Sequence, residues 1–200
     1  MRLLLFSDVH RDLAACAELV SAARGVDVVI GAGDFASQHR GLEETIDALA
    51  MIETPTLLVP GNNETEEALR DTCAMWAAAR VLHGEPCEIS GMPFYGVGGG
   101  IPTTPWSWSF DLDEHAARAM LVGCPEGAIL VTHSPPQGVC DKDSSGKHLG
   151  SVAIADTIEA RRPPLVVCGH IHESWGRDER LGVSRVINAG PRGVVVDLDV

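Results

Sequence analysis

The sequence predicts an α/β fold in which helices flank two packed β-sheets. Three observations predict it. Short apolar runs such as Leu3-Leu4-Leu5-Phe6, Val28-Val29-Ile30 and Leu165-Val166-Val167 recur and end in turn residues, as strands do. In the first part of the chain these runs alternate with helical patterns. After Arg80, strand-like runs follow one another without helices, which predicts an antiparallel stretch and a mixed architecture.

In chain order, Arg2–Phe6 reads as a strand and Asp12–Arg24 as a helix, with Leu13, Ala17, Val20 and Ala23 sharing a face. Val26–Ile30 is the next strand, Leu42–Ile52 a helix and Thr56–Val59 a strand stopped by Pro60-Gly61. The pattern over Glu64–Arg80 predicts a helix. Short strands follow at Val81-Leu82, Glu88-Ile89 and Pro93–Val97, then a Gly- and Pro-rich loop over Gly98–Pro105. A helix is expected from Asp113 to Leu121, with Asp111 and Glu114 spaced like a capping box. Ala128–Thr132 and Leu165–Cys168 read as strands around a helix at Ser151–Arg161. Ser184–Asn188 and Gly193–Asp197 are expected to pair antiparallel around Pro191.

The 200 residues, 45% of them hydrophobic and 22% charged, suit one globular domain spanning 1–200. A net charge of −13 repels nucleic acid at long range and argues against a long polynucleotide partner. A small phosphodiester stays compatible, because a local cluster of cations outweighs a diffuse negative surface. Six scattered cysteines with no C-x-x-C pair are expected to be reduced and partly buried. The apolar start, Met1–Phe6, breaks at Ser7-Asp8, too short for a signal peptide or membrane span. A cytoplasmic location with no membrane partner is the expectation.

Chemistry-bearing residues gather where strands end: Ser7-Asp8-Val9-His10, Gly31-Ala32-Gly33-Asp34, Gly61-Asn62-Asn63-Glu64, Thr132-His133-Ser134 and Gly169-His170-Ile171-His172. Ligand sites of open α/β sheets form at the carboxyl ends of strands, so the five clusters are expected at one sheet edge. They offer two Asp, one Asn and four His as ligands, and no cysteine. Imidazole with carboxylate suits first-row transition metals; the absence of thiolate argues against a structural zinc site. Asp8/His10 and His170/His172 are each spaced i, i+2, which on an extended backbone aims both members to one side. Seven ligands exceed what one tetrahedral ion takes but suit two ions sharing a carboxylate. Two ions about 3.5–4 Å apart can hold a bridging hydroxide and clamp phosphate oxygens.

The order Asp8-x-His10, Gly33-Asp34, Gly61-Asn62-x-Glu64, His133 and Gly169-His170-x-His172 resembles the calcineurin-like metallophosphoesterase family, over nearly the whole chain. The resemblance implies an αββα sandwich with a dinuclear centre. It implies that Asp8, His10 and His172 bind one metal, that Asn62, His133 and His170 bind the other, and that Asp34 bridges them. The ions would be divalent transition metals, Mn first, with Fe, Ni, Co or Zn as alternatives.

One position departs from the family. Many members carry His directly after Gly-Asn, where it contacts phosphate and protonates the leaving group; here the residue is Asn63. An amide hydrogen-bonds a phosphate oxygen but delivers no proton. Small family members with a non-His residue there are often phosphodiesterases, so hydrolysis of a small phosphodiester such as a cyclic nucleotide is the expected reaction. A phosphomonoesterase, a nucleotide pyrophosphatase and a non-catalytic scaffold of the same fold remain alternatives. His148 is the candidate replacement acid, in a polar loop where Gly150 and Ser151 would offer N–H groups to an anion. His39 is a weaker candidate. Trp106 and Trp108 would either wall the site and stack a ring or belong to the core.

Overall fold

A computed structural model of the chain describes residues 1–199. The first sheet contains β1 (Arg2–Phe6), β2 (Val28–Gly31), β3 (Thr56–Leu58), β4 (Ala79–Val81) and β11 (Val194–Asp197), in the order β11-β1-β2-β3-β4. Only β11 runs antiparallel. The second contains β5 (Glu85–Ile89), β6 (Met92–Val97), β7 (Ile129–Thr132), β8 (Leu165–Cys168), β9 (Asp178–Leu181) and β10 (Ser184–Asn188), in the order β5-β6-β7-β8-β10-β9. Its edge strands β5 and β9 are antiparallel to their neighbours, while β6, β7, β8 and β10 are parallel.

Strand alternation explains the layers. Leu3 and Leu5 of β1, with Val28, Ile30, Leu57 and Val59, face Phe94, Ile129, Val131, Leu165, Val167 and Ile187 between the sheets. The intervening Leu4, Phe6, Val29 and Leu58 face outward. There α1 (Leu13–Ala22), α2 (Leu42–Leu49) and α3 (Glu66–Cys73) cover them. On the far side α4 (Glu114–Leu121) and α5 (Val152–Arg161) cover Tyr95, Leu130, Val166 and Val186. Both faces of each central strand are thus buried, and the sequence shows continuous apolar runs there instead of alternation. The layers run helix, sheet, sheet, helix, as expected. Truncating a sandwiched side chain such as Leu5 to Ala would cost about 2–5 kcal/mol.

Several local expectations are corrected. The inward face of helix α1 is shifted from the expected one: Ala15, Cys16 and Leu19 are buried, Ala23 is buried and Val20 partly buried as expected, whereas Leu13 is 52% exposed and Ala17 is exposed. The segment Glu64–Arg80 is not one helix. Thr65 caps α3, accepting from the Ala68 N–H, while Glu64 is withdrawn into the interior and Ala79–Val81 joins β3 in parallel. Trp76 ends the helical stretch by packing into the first core and donating its Nε1–H to Ile52 O. Of the stretch expected to be antiparallel, only the β5–β6 hairpin is so. The two last strands do not pair with each other: β10 adds to β8 in the second sheet, and β11 crosses to β1 in the first. Finally, Asp113 and not Asp111 caps α4. Asp111 ties its own loop, and Glu114 caps α5, accepting from Ser151 Oγ, Val152 N and Ala153 N.

Candidate metal centre

The five clusters meet, but at the junction of two sheets instead of one edge. Those after β1, β2 and β3 come from the first sheet; those after β7 and β8 come from the second. The close approach needs glycine. A Cβ on Gly33 would lie 2.6 Å from Gly61 Cα and 2.7 Å from His133 Nδ1, and one on Gly61 would overlap the backbone and carboxylate of Asp34.

Asp8, His10 and His172 form one group whose ligand-type atoms lie within 4.8 Å of one another. His10 Nε2 stands 3.2 Å from His172 Nε2 and 3.4 Å from Asp34 Oδ2, and His172 Nε2 stands 3.8 Å from Asp8 Oδ1. The members do not converge through extended backbone, as the i, i+2 spacing suggests. Asp8 and His10 have φ of 54° and 42°, and His172 begins a 3₁₀ turn. A second group lies beside the first. Asn62 Oδ1 is 3.2 Å from His133 Nε2 and 3.1 Å from His170 Nδ1, and His133 Nε2 is 3.4 Å from Asp34 Oδ1. Asp34 thus offers one oxygen to each group.

The donor chemistry fits cations. His10 Nδ1 donates to Ala36 O at 3.0 Å and His133 Nδ1 to Ala32 O at 2.8 Å, which leaves each Nε2 as the inward lone pair of a neutral ring. Ser109 Oγ donates to Asp111 and accepts from Asn62 Nδ2, so Asn62 must turn its oxygen toward His133. Lone pairs therefore face lone pairs. Asp8 and Asp34 are each 2% exposed, and among the described residues no Lys or Arg pairs with either. Burial raises the Asp8 pKa. Burial also opposes charge on Asp34, but His133, His10 and His170 outweigh it and its pKa is lowered. At His133 burial is likewise outweighed, here by Asp34 and Asp8, and the pKa is raised. His170 is held down at about 3 by burial and by His133. Two buried carboxylates with no Lys or Arg partner among the described residues form a site that suits divalent metal ions.

The residues that hold these groups were not all visible in the sequence. Trp175 donates its Nε1–H to Asp8 Oδ2 at 3.2 Å, and its ring centroid lies 4.2 Å from that of His172. Ser7 Oγ donates to the same oxygen. Glu64 accepts three backbone N–H groups, from Asp34 and Gly61 at Oε1 and from Ala36 at Oε2. Burial and the neighbouring Asp34 push its carboxyl up to about 7. No motif signals Trp175, whereas Glu64 stands within the quoted Gly61-Asn62-x-Glu64 pattern.

Asn63 lines the site and is engaged on both ends of its amide: Nδ2 donates to Asp34 Oδ2 at 2.7 Å, and Oδ1 accepts from the Gln38 N–H at 2.8 Å. One amide hydrogen is left over. His148 Nδ1 meets the buried Asp141 Oδ1 at 2.6 Å; its neighbour Leu149, not His148 itself, lines the site. The expected anion seat at Gly150 and Ser151 is closed, because Gly150 N–H donates to Asp141 and Ser151 N–H to Pro135 O, with Glu114 over the next two. His39 Nε2 donates to Trp108 O. Trp106 and Trp108 stack with centroids 5.5 Å apart and 9° between planes, and both line the site.

A cavity of about 420 Å³ opens over the candidate ligand groups. His10, Asp34, Asn62, Asn63, His170 and His172 form its floor, and the loop from Pro102 to Trp108 with Leu149 and Ile171 forms its walls. Among the described residues no Lys or Arg lines it.

This arrangement of fold and ligand groups defines the class. Residues 1–197 match the calcineurin-like phosphoesterase superfamily domain, and the chain belongs to that superfamily. Metallophosphoesterase domain-containing protein 1 of Homo sapiens and that of Mus musculus are each 33% identical over 127 residues, 60% of this chain. The matched stretch spans 35% of the length of these relatives. Among solved structures, one from Thermus thermophilus superposes with a TM-score of 0.76 at 22% identity, covering 94% of this chain and 88% of that one. A dimetal phosphatase from Danio rerio has a TM-score of 0.63 at 13% identity, covering 94% and 86%. These two likenesses bear on the fold. All six cysteines are buried and free, and no helix among the described residues is long and apolar enough to cross a membrane.

Proposed function

We propose that the chain, as a single domain, is a phosphodiesterase acting on a small phosphodiester, with a cyclic nucleotide as the leading candidate. The observation that carries this reading is the cavity above the ligand groups. It has an aromatic and proline wall and no cationic side chain among the described residues. A phosphodiester carries one negative charge at neutral pH and two organic substituents, which suits a neutral, partly apolar enclosure. A phosphomonoester dianion would gain from Arg or Lys beside the metals, and none is there among the described residues. The same lack, with the net charge of −13, argues against long nucleic acid.

In this reading Asp8, His10 and His172 would hold one ion, Asn62, His133 and His170 would hold the other, and Asp34 would serve both. Two divalent ions, Mn first among the candidates, would supply an activated water and neutralise the phosphate oxygens. The chain's own residues orient and protect. Trp175 and Ser7 fix the Asp8 carboxylate, and Asn63 fixes that of Asp34 while its free amide hydrogen is available to a phosphate oxygen. An amide protonates no leaving alkoxide, so poor leaving groups need another acid. His148 is our candidate for that role, although its Nδ1 meets Asp141 and only its neighbour Leu149 lines the cavity, so it would have to reach the leaving group from beyond the lining. The buried free thiols suit a reducing, cytoplasmic setting.

The test is hydrolysis of bis-p-nitrophenyl phosphate, p-nitrophenyl phosphate and 2′,3′- and 3′,5′-cyclic nucleotides by Mn-loaded protein. Higher kcat/KM on diesters is expected, with Asn63→His shifting the ratio toward the monoester. Preference for the monoester across metals would defeat the reading. His148→Ala should slow cyclic nucleotides more than nitrophenyl esters, whose leaving group needs no proton.

A further inference from the structure

The tryptophan pair forms part of the cavity wall. Trp106 belongs to none of the three core clusters and is 51% exposed, and unlike the exposed Met51 and Met75 it lines the cavity over the ligand groups. It is nevertheless held in place. Trp108 stacks parallel to it, Asp111 accepts from Thr104 N, Thr104 Oγ1 and Ser109 Oγ, and Trp108 O accepts from His39. The same loop is tied to the proposed ligand Asn62: Phe110 N–H donates to Asn62 O, and Asn62 Nδ2 donates to Ser109 Oγ. A rigid indole wall is thereby set at a fixed offset from a proposed metal ligand, within one cavity of about 420 Å³. That volume suits a molecule of nucleotide size.

We infer that the Trp106–Trp108 pair is a substrate-selecting subsite that stacks a planar aromatic ring carried by the phosphoester, a nucleobase or an aryl group. The inference deepens the phosphodiesterase reading and rests on it for the substrate's ester type, but not for the ring. With no Lys or Arg among the described lining residues, discrimination beyond the phosphate falls to shape and stacking. Stacking tolerates different rings because each has a π-face, so the subsite selects for aromatic character more than for one base.

Dissociation constants test this on the Mn-loaded protein by calorimetry, with two matched pairs. Adenosine 5′-monophosphate against ribose 5-phosphate reads the nucleobase, and phenylphosphonate against methylphosphonate reads the aryl group. The ring-bearing member of at least one pair is expected to bind about tenfold more tightly. Trp106→Ala should abolish most of that ratio, and Trp106→Phe should keep most of it. Which pair shows the effect identifies the source of the ring. Equal affinities within both pairs in the wild type, or a ratio indifferent to Trp106→Ala in a variant of unchanged melting temperature, would overturn the inference. Should Trp106→Ala fail to fold, a ring preference lost in Trp106→Leu and kept in Trp106→Phe decides for it, and one unchanged in both decides against it. These ligands probe binding, so the outcome is independent of whether diesters or monoesters are hydrolysed.

Discussion

Asn63 holds both oxygens of the Asp34 carboxylate: its backbone N–H donates to Oδ1 at 2.9 Å and its side-chain amide to Oδ2 at 2.7 Å. The residue where many relatives are expected to carry a histidine is therefore a brace for the group proposed to lie between the two ions. Asn63→Ala removes one of the two donors and is expected to weaken metal binding by about 10–100-fold, read by metal titration with calorimetry. Asp34→Asn should go further and leave fewer than two ions per chain by elemental analysis. Two retained ions in that variant would refute the shared-carboxylate arrangement.

Trp175→Phe keeps an aromatic ring near His172 but deletes the donor to Asp8 Oδ2. A loss of about tenfold in affinity is expected for one ion only, the one proposed for Asp8, His10 and His172. A two-site titration in which both affinities fall equally would count against the assignment of ligands to separate ions.

Glu64 receives three backbone N–H groups from the loops that carry Asp34 and Asn62. In Glu64→Gln one of its oxygens becomes an NH₂ group facing a donor. The expected cost is about 2 kcal/mol, or roughly 4–8 °C in Tm, measured by thermal unfolding of metal-free protein. An unchanged Tm would mean that the loops hold without this buried tie.

Glu114 sits over the first turn of α5 and accepts from Val152 N and Ala153 N. Glu114→Ala should cost about 1 kcal/mol, read as roughly 2–4 °C in Tm, with metal content unchanged. A selective loss of metal or substrate affinity would instead reopen a role for this helix start in the site.

Much of the site was legible because each ligand sits within a few residues of an apolar strand's end. Local sequence shows both the strand and the cluster. What was hidden is non-local. Nothing near Ser184–Asn188 or Val194–Asp197 says that they enter different sheets; that partition follows from which edges are free once β1 and β8 are placed. Strand β9 is exposed along most of its length, so it lacks the apolar signature that marks the inner strands. The long helix read over Glu64–Arg80 failed because helix-favouring alanines near Ala79 are outweighed by parallel pairing with β3. Trp175 escaped notice because its role depends on a carboxylate far away in sequence.

Four of the seven proposed ligands, Asp8, His10, Asp34 and His170, sit at positive φ. Asp, His and Asn are also the side chains that visit this backbone region most readily among non-glycine residues. The same alphabet therefore satisfies two demands at each position, a lone pair for a cation and a bend in the chain. Evolution toward a different metal is constrained accordingly. A thiolate or a longer carboxylate introduced there must adopt an unfavourable bend as well as a new bond length, so retuning should proceed through neighbours such as Trp175, Asn63 and Ser109.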